Sequence, residues 1–347
     1  MARFWGEDEP GEPLDDAYVI GVDLGGTHIR AVLADERDAF VERRRKGTLA
    51  REGMSAVLDR ITGIVKDLSS HARRVAAVGI ASPGPLNAKT GIVYSPPAFP
   101  DWHDVPLVRM MYERIGLPVF LGNDANVAAL GEFDYGAGRS FRHLIYITVS
   151  TGIGGGVIVD GKLLEGQKGA AGEVGHMVME QDGPLCGCGG HGCLEALASG
   201  TAIARQAREA LASGRESTIG SLAGTEGITA EVVAGAAKEG DALGVELIRA
   251  AGRRLGCGVI NLVHVFNPQV VVIGGGVTNA GELLLEPMRE TVSAGLMPVF
   301  KEDLAIVPPD LEADAGLYGA AALARRGAGT SPEIPDTAKL QGDRFGP

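Results

Sequence analysis

The chain has 347 residues, 45% of them hydrophobic and 22% charged, which is the composition of a soluble globular protein with room for two lobes. Its net charge of −12 argues against general nucleic-acid binding, which needs a basic face to meet phosphates. No apolar run approaches the roughly 20 residues of a membrane helix, and residues 1–16 read as a disordered acidic leader without the order of a signal peptide.

Residues 17–24 form a strand broken by Gly25-Gly26, and strands at 28–35 and 39–46 complete an antiparallel meander. Apolar residues at Met54, Val57, Leu58, Ile61, Ile64, Val65 and Leu68 give 51–70 the 3.6-residue period of a helix. A strand at 75–81 ends in Ser82-Pro83-Gly84-Pro85. A helix at 105–115, a strand at 119–121 and a helix through 135 follow. The pattern then restarts with strands at 143–149 and 155–159. Helices are predicted at 199–212, 229–239 and 242–265, then a buried-type strand at 269–273. A helix at 280–294, a strand at 304–307 and a small-residue helix at 313–326 close the pattern. From 327 the chain is polar and rich in Pro and Gly, and reads as a disordered tail. Strands alternate with helices in each half, which predicts two α/β lobes with a cleft between them.

Three glycine loops sit at strand ends. In the first, the amides of Gly25 and Gly26 can cradle phosphate oxygens, Thr27 can donate a hydrogen bond, and Asp23 can face a phosphate-bound Mg²⁺ through water. The loop at 150–156, with Thr151, Gly152 and Gly154, is the second; Gly274, Gly275 and Gly276 are the third. A single such loop is equally well an ordinary glycine hairpin, but three at corresponding strand ends point to a nucleotide. No GxxxxGK[ST] occurs. The GxGxxG match at Gly187, Gly189 and Gly192 follows no strand and is rejected. Asp124, in Gly122-Asn123-Asp124-Ala125-Asn126, is either the N-cap of the next helix or a base for a substrate hydroxyl.

Cys186, Cys188 and Cys193 fall within eight residues, near His176 and His191, and read as a closed tetrahedral zinc site. Cysteines so closely spaced, with Cys257 far away, fit a reduced, cytoplasmic setting better than a disulfide framework. Spacing leaves the fourth ligand open between the two histidines, although His191, inside the cysteine loop, would strain a further bond. Glu173 and Glu195 flank the cluster.

The segments DLGGT, SPGPLN…GIVYSPP…W, GNDAN, STGIGGG, GEVGH and CGCGGHGCLE, in this order over 17–326, resemble the ROK sugar-kinase family. The resemblance implies a two-lobed actin/hexokinase-like (ribonuclease H-like) α/β fold. Its small lobe would be 17–123 plus 313–326, and its large lobe 124–312 with a structural zinc loop. It implies ATP and Mg²⁺, with Asp124 taking the proton from a sugar 6-hydroxyl. It implies that Asn123, Asp124, Glu173, His176 and Glu195 hydrogen-bond the sugar, and that zinc is held by His176, Cys186, Cys188 and Cys193. By the same resemblance Ser82–Pro85, Gly84 included, and Trp102 lie near the sugar, Trp102 being alternatively a plain core residue. The 83–107 stretch is most similar to bacterial glucokinases, so glucose is the expected substrate, with N-acetylmannosamine, N-acetylglucosamine or fructose as alternatives. A homodimer or homotetramer is usual for the resemblance. The family also holds sugar-sensing repressors with an added DNA-binding domain before the kinase-like part; with only 16 residues, acidic in balance, ahead of the first strand, that domain is not expected here.

Overall fold

The computed structural model describes residues 16–225 and 227–328, so the expected disordered leader and tail lie outside the described residues except at their inner ends. The described chain packs as two compact units, one of 16–131, 165–170 and 316–328, the other of 132–164 and 171–315.

The first unit is built on a five-stranded sheet. β1 (Tyr18–Leu24) pairs antiparallel with β2 (His28–Ala34), which pairs with the edge strand β3 (Phe40–Gly47). After α1 (Met54–Ser69), β4 (Val75–Ser82) adds parallel to β1. A small hairpin of β5 (Leu86–Asn87) and β6 (Ile92–Val93) and the helix α2 (Leu107–Ile115) lead to β7 (Val119–Asn123), parallel to β4. The order is therefore β3-β2-β1-β4-β7.

Strand alternation assigns the two faces. Ile20, Val22 and Leu24 of β1 join Val57, Leu58, Ile61, Ile64, Val65 and Leu68 of α1 in one core, while Val19 points into another. These six α1 residues are the periodic set read from the sequence except for Met54, which is half-buried at the edge of the core, and each side chain buried contributes roughly 1.5–3 kcal/mol. On the opposite face lies the last helix, α10 (Ala315–Ala328), through Leu317, Ala321 and Ala324. Its approach is very close: a Cβ on Gly79 of β4 would stand 2.0 Å from the Ala320 carbonyl oxygen, so only glycine serves there. Arg325 fastens the far end, donating to Asp38 Oδ1 at 3.0 Å, to the Ala17 carbonyl at 2.6 Å and to the Asp35 carbonyl.

The second unit repeats this plan. Past α3 (Asp124–Tyr135), β8 (Leu144–Val149) pairs antiparallel with β9 (Ile153–Val159), followed by the short β10 (Lys162–Leu163). Then come α4 (Leu194–Ala198), α5 (Gly200–Ala212), α6 (Ile219–Leu222), α7 (Ala230–Lys238) and the 25-residue α8 (Ala242–Phe266). β11 (Val270–Gly274) lies parallel to β8, and after α9 (Glu282–Gly295), β12 (Ala305–Val307) lies parallel to β11. The order β10-β9-β8-β11-β12 matches the first sheet strand for strand. The β1–β2 and β8–β9 turns are therefore equivalent, as are the ends of β4 and β11. Leu243, Leu247, Ile248, Leu255 and Val259 of α8 meet Leu284, Met288 and Val292 of α9 in the unit's core.

Several expectations are adjusted. The units divide after Gly131, inside α3, and not at 123/124. Glu165–Ala170 joins the first unit because Lys89 Nζ donates to the Gly166 carbonyl at 2.8 Å and Gly169 packs on Ala88. Of the two readings of Trp102, the structure favours the core one: it is 1% exposed and stacked on Phe99 with centroids 4.6 Å apart. Among the described residues no helix is long and apolar enough to cross a membrane.

Candidate active site and metal cluster

In the first unit, the β1–β2 turn leaves Gly26 and Thr27 exposed. The Gly25 N–H donates to the His28 carbonyl at 3.0 Å. Thr48, fully buried, clasps the turn: its N–H donates to the Thr27 carbonyl at 2.8 Å and its hydroxyl to the Gly25 carbonyl at 2.6 Å. Asp23 is held by Arg30, whose Nε and Nη2 lie 3.0 and 2.5 Å from Oδ2. Neither Thr48 nor Arg30 stands out in the sequence, since each acts on a partner that no local motif names.

At the end of β7, Asn123 Oδ1 accepts from the N–H groups of Ala125 (3.0 Å) and Asn126 (3.4 Å). Asn123 is thus the cap of α3. The capping alternative for Asp124 passes to its neighbour: Asp124 is the first helical residue, exposed, with Oδ1 accepting from the Ala125 N–H at 2.8 Å. Ser82 pairs with Asn123 across the sheet, and Gly84 sits beside the Asn123 amide, where a Cβ would come within 3.1 Å of Nδ2. Asn123, Asp124 and Gly84 are therefore together.

The second unit gathers the rest. Gly275, at the end of β11, has φ +98° and lies against the end of β8, where a Cβ would be 2.4 Å from the Val149 carbonyl oxygen. Only glycine meets both demands, and the contact brings the 274–276 loop next to the 150–154 loop. The latter is held from outside. Gly200 N–H donates to the Ser150 carbonyl (2.7 Å), Thr201 donates to the Thr151 carbonyl through its N–H (3.2 Å) and hydroxyl (2.9 Å), and the Ile153 N–H donates to Glu195 Oε2 (2.9 Å).

His176, Cys186, Cys188 and Cys193 place their ligand atoms within 4.8 Å of one another. Zinc–sulfur bonds of about 2.3 Å and a zinc–nitrogen bond of about 2.0 Å in a tetrahedron require edges of about 3.8 Å between sulfurs and about 3.6 Å from nitrogen to sulfur. The Cys188–Cys193 Sγ separation is 3.7 Å and that from His176 Nδ1 to Cys186 Sγ is 3.6 Å. Burial and the neighbouring thiols push Cys193 up to about 12, and burial also raises Cys186, whereas the Gly190 N–H draws Cys188 down. Three thiols so packed resist ionising together unless a cation compensates them, so this donor set suits a divalent metal. His191 lies outside it, exposed, with Nδ1 3.1 Å from the Gly183 carbonyl. His176 turns Nδ1 to the cluster and Nε2 toward Glu173, 3.9 Å from Oε2. Glu195 Oε1 is 3.7 Å from Cys186 Sγ, so both flanking carboxylates adjoin the cluster.

The ROK family model matches residues 19–327. The glucokinase of Thermotoga maritima is 42% identical over 306 residues, covering 88% of this chain and 96% of that one. Of solved structures, the ROK hexokinase from Thermus thermophilus aligns with a TM-score of 0.77 at 36% identity, over 89% of this chain and 98% of that one. A ROK family glucokinase from Streptomyces griseus, in complex with glucose and AMPPNP, aligns with a TM-score of 0.74 at 36% identity, over 90% and 100%. The duplicated mixed sheets are those of the expected actin/hexokinase-like fold class. The chain belongs to the ROK family.

Proposed function

We propose that the protein transfers the γ-phosphoryl group of ATP to the 6-hydroxyl of a hexose, converting glucose to glucose 6-phosphate. One observation carries this reading: the Streptomyces griseus glucokinase, held with glucose and AMPPNP, is spanned whole by this chain at 36% identity. In the mechanism, Asp124 accepts the 6-hydroxyl proton as the sugar oxygen bonds to the γ-phosphorus and ADP leaves. Asn123 caps α3, and the Asp124 carboxylate is oriented by the Ala125 N–H that Oδ1 accepts. Asn123, Gly84, Glu173, His176 and Glu195 contact the sugar, the charged carboxylates giving the stronger hydrogen bonds.

The loops at Gly25–Thr27, Thr151–Gly154 and Gly274–Gly276 take the nucleotide, and Asp23 would hold a phosphate-bound Mg²⁺, which would neutralise charge on the phosphates. The tetrahedral fit supports Zn²⁺ on His176, Cys186, Cys188 and Cys193, where it would cross-link the loop and take no part in the reaction. With Nδ1 committed to the metal, His176 keeps Nε2–H as a donor toward a sugar hydroxyl. Glucose is the proposed partner, in a cytoplasmic homodimer or homotetramer without nucleic acid or membrane. The test couples ADP release to a panel of hexoses. Turnover of glucose supports the reading. Activity on N-acetylmannosamine, N-acetylglucosamine or fructose with none on glucose reassigns the substrate, and sugar binding without turnover marks a sensing protein.

A further inference from the structure

We propose that Glu195 is a positioning residue for the nucleotide, tethering the 150–154 loop to the metal cluster, so that the cluster sets phosphate binding as well as sugar binding. Three holds on that loop converge on residues beside the metal donors. Glu195 follows Cys193 by two positions, in the first turn of α4, and its Oε2 accepts the Ile153 N–H at 2.9 Å while Oε1 stays 3.7 Å from Cys186 Sγ. Gly175, adjacent to His176, lies flat on the other side of Ile153: a Cβ there would be 2.0 Å from the Ile153 carbonyl oxygen. α4, capped by Cys193, ends at Ala198, and Ser199 then caps α5, whose first residues Gly200 and Thr201 hold the Ser150 and Thr151 carbonyls.

Glu195 also closes over Gly152 itself, where a Cβ would stand 2.3 Å from Oε2, so the loop passes beneath the carboxylate only with glycine there. A residue whose only task was to meet a sugar hydroxyl would not need its oxygen on a β-strand amide. The arrangement makes the cluster the anchor, Glu195 the strut and the glycine loop the part held. Release of the strut lets Thr151–Gly154 move, and amides that are no longer preorganised bind phosphate less well.

This inference rests on the 150–154 loop holding nucleotide, and the experiment separates the two. AMPPNP is titrated calorimetrically without sugar into the wild type, Glu195→Ala and Glu195→Gln, each with its metal content measured, and exchange of the Ile153 amide is followed. Loss of one hydrogen bond to a charged acceptor should weaken AMPPNP about tenfold in Glu195→Ala and speed Ile153 exchange. Glu195→Gln keeps an acceptor oxygen and should stay within about twofold, while still losing the charged contact to sugar. Should Glu195→Ala not fold, Thr201→Val, which removes only the 2.9 Å hydroxyl hold on Thr151, should weaken AMPPNP by about threefold. A wild type that binds AMPPNP no better than Glu195→Ala or Thr201→Val overturns the tether alone. A wild type that binds no AMPPNP overturns the reading of the loop, and the inference with it.

Discussion

Replacing Cys188 by Ser removes one of the four donors and tests whether a metal holds the 176–193 segment in place. Cys188 is exposed, so the substitution takes little from the core. The segment has almost no core of its own: between 178 and 192 only Cys186 and Gly192 are buried, and Val178 and Leu185 are 63% and 66% exposed. Ordering a backbone opposes folding by roughly 1–2 kcal/mol per residue, far more than two small buried residues return. A cross-link closing a loop of about 15 residues contributes about 3 kcal/mol. In a unit of this size each kcal/mol moves Tm by about 2–4 °C, so Cys188→Ser should lower Tm by roughly 6–12 °C. The adjoining helix α4 keeps Leu194, Leu197 and Ala198 buried, which keeps the rest of the unit folded when the loop and the cluster-facing end of α4 loosen. Mass spectrometry of the metal, calorimetric unfolding and amide exchange over 178–192 report the three parts of the effect. The KM for sugar should rise with them, because Glu173, His176 and Glu195 adjoin the cluster. A variant that loses the metal yet keeps its Tm, its loop protection and its sugar affinity refutes the reasoning.

Other substitutions probe separate links. Gly275→Ala puts a side chain at φ +98° and against the Val149 carbonyl; strain of about 1–3 kcal/mol should appear as lower stability, and AMPPNP binding should weaken with it. Trp102→Ala should destabilise the first unit by about 3–5 kcal/mol in denaturant titrations while leaving the sugar KM of the folded protein unchanged, as a core residue requires. Burial opposes ionisation of Asp241, yet donors from Gly244, Thr218 and Ser217 outweigh it and hold its pKa down at about 2. Since that value lies below the ordinary carboxylate pKa of about 3.9, its stabilisation is complete above about pH 4 and is lost as pH falls toward about 2. Asp241→Ala should therefore flatten the stability curve between those pH values and lower the plateau by about 1 kcal/mol, the worth of an N-cap.

Elements with a strong period were legible from the sequence: the α1 stripe is buried from Val57 to Leu68, only Met54 at its start being half-buried, and the strands around the three glycine loops lie within a residue or two of their apolar runs. The three cysteines were legible as a cluster because thiolates so close in sequence have few other uses. The fourth donor was legible only in part: spacing disfavours His191 without excluding it, the family resemblance points to His176, and the folded loop turns His191 to Gly183. Capping by Asn123 in place of Asp124 depends on one residue of helix register. Long-range polar contacts left no trace at all. Glu132, fully buried, accepts the N–H groups of Ala137, Asp310 and Leu311, and Asp23 is engaged by Arg30 across a hairpin. Periodicity reports what a residue's neighbours in sequence share, and these partners share none. The two-residue strands β5 and β6 are too short to carry a period.

The most direct test of the account measures ADP formed from ATP and glucose by the wild type and by Asp124→Asn, with AMPPNP affinity determined on both. The account predicts glucose 6-phosphate as the wild-type product. It also predicts a loss of at least about 100-fold in kcat for Asp124→Asn, the contribution of a general base, with nucleotide affinity unchanged. Retained turnover by Asp124→Asn, or a wild type that hydrolyses ATP without phosphorylating a sugar, would contradict it.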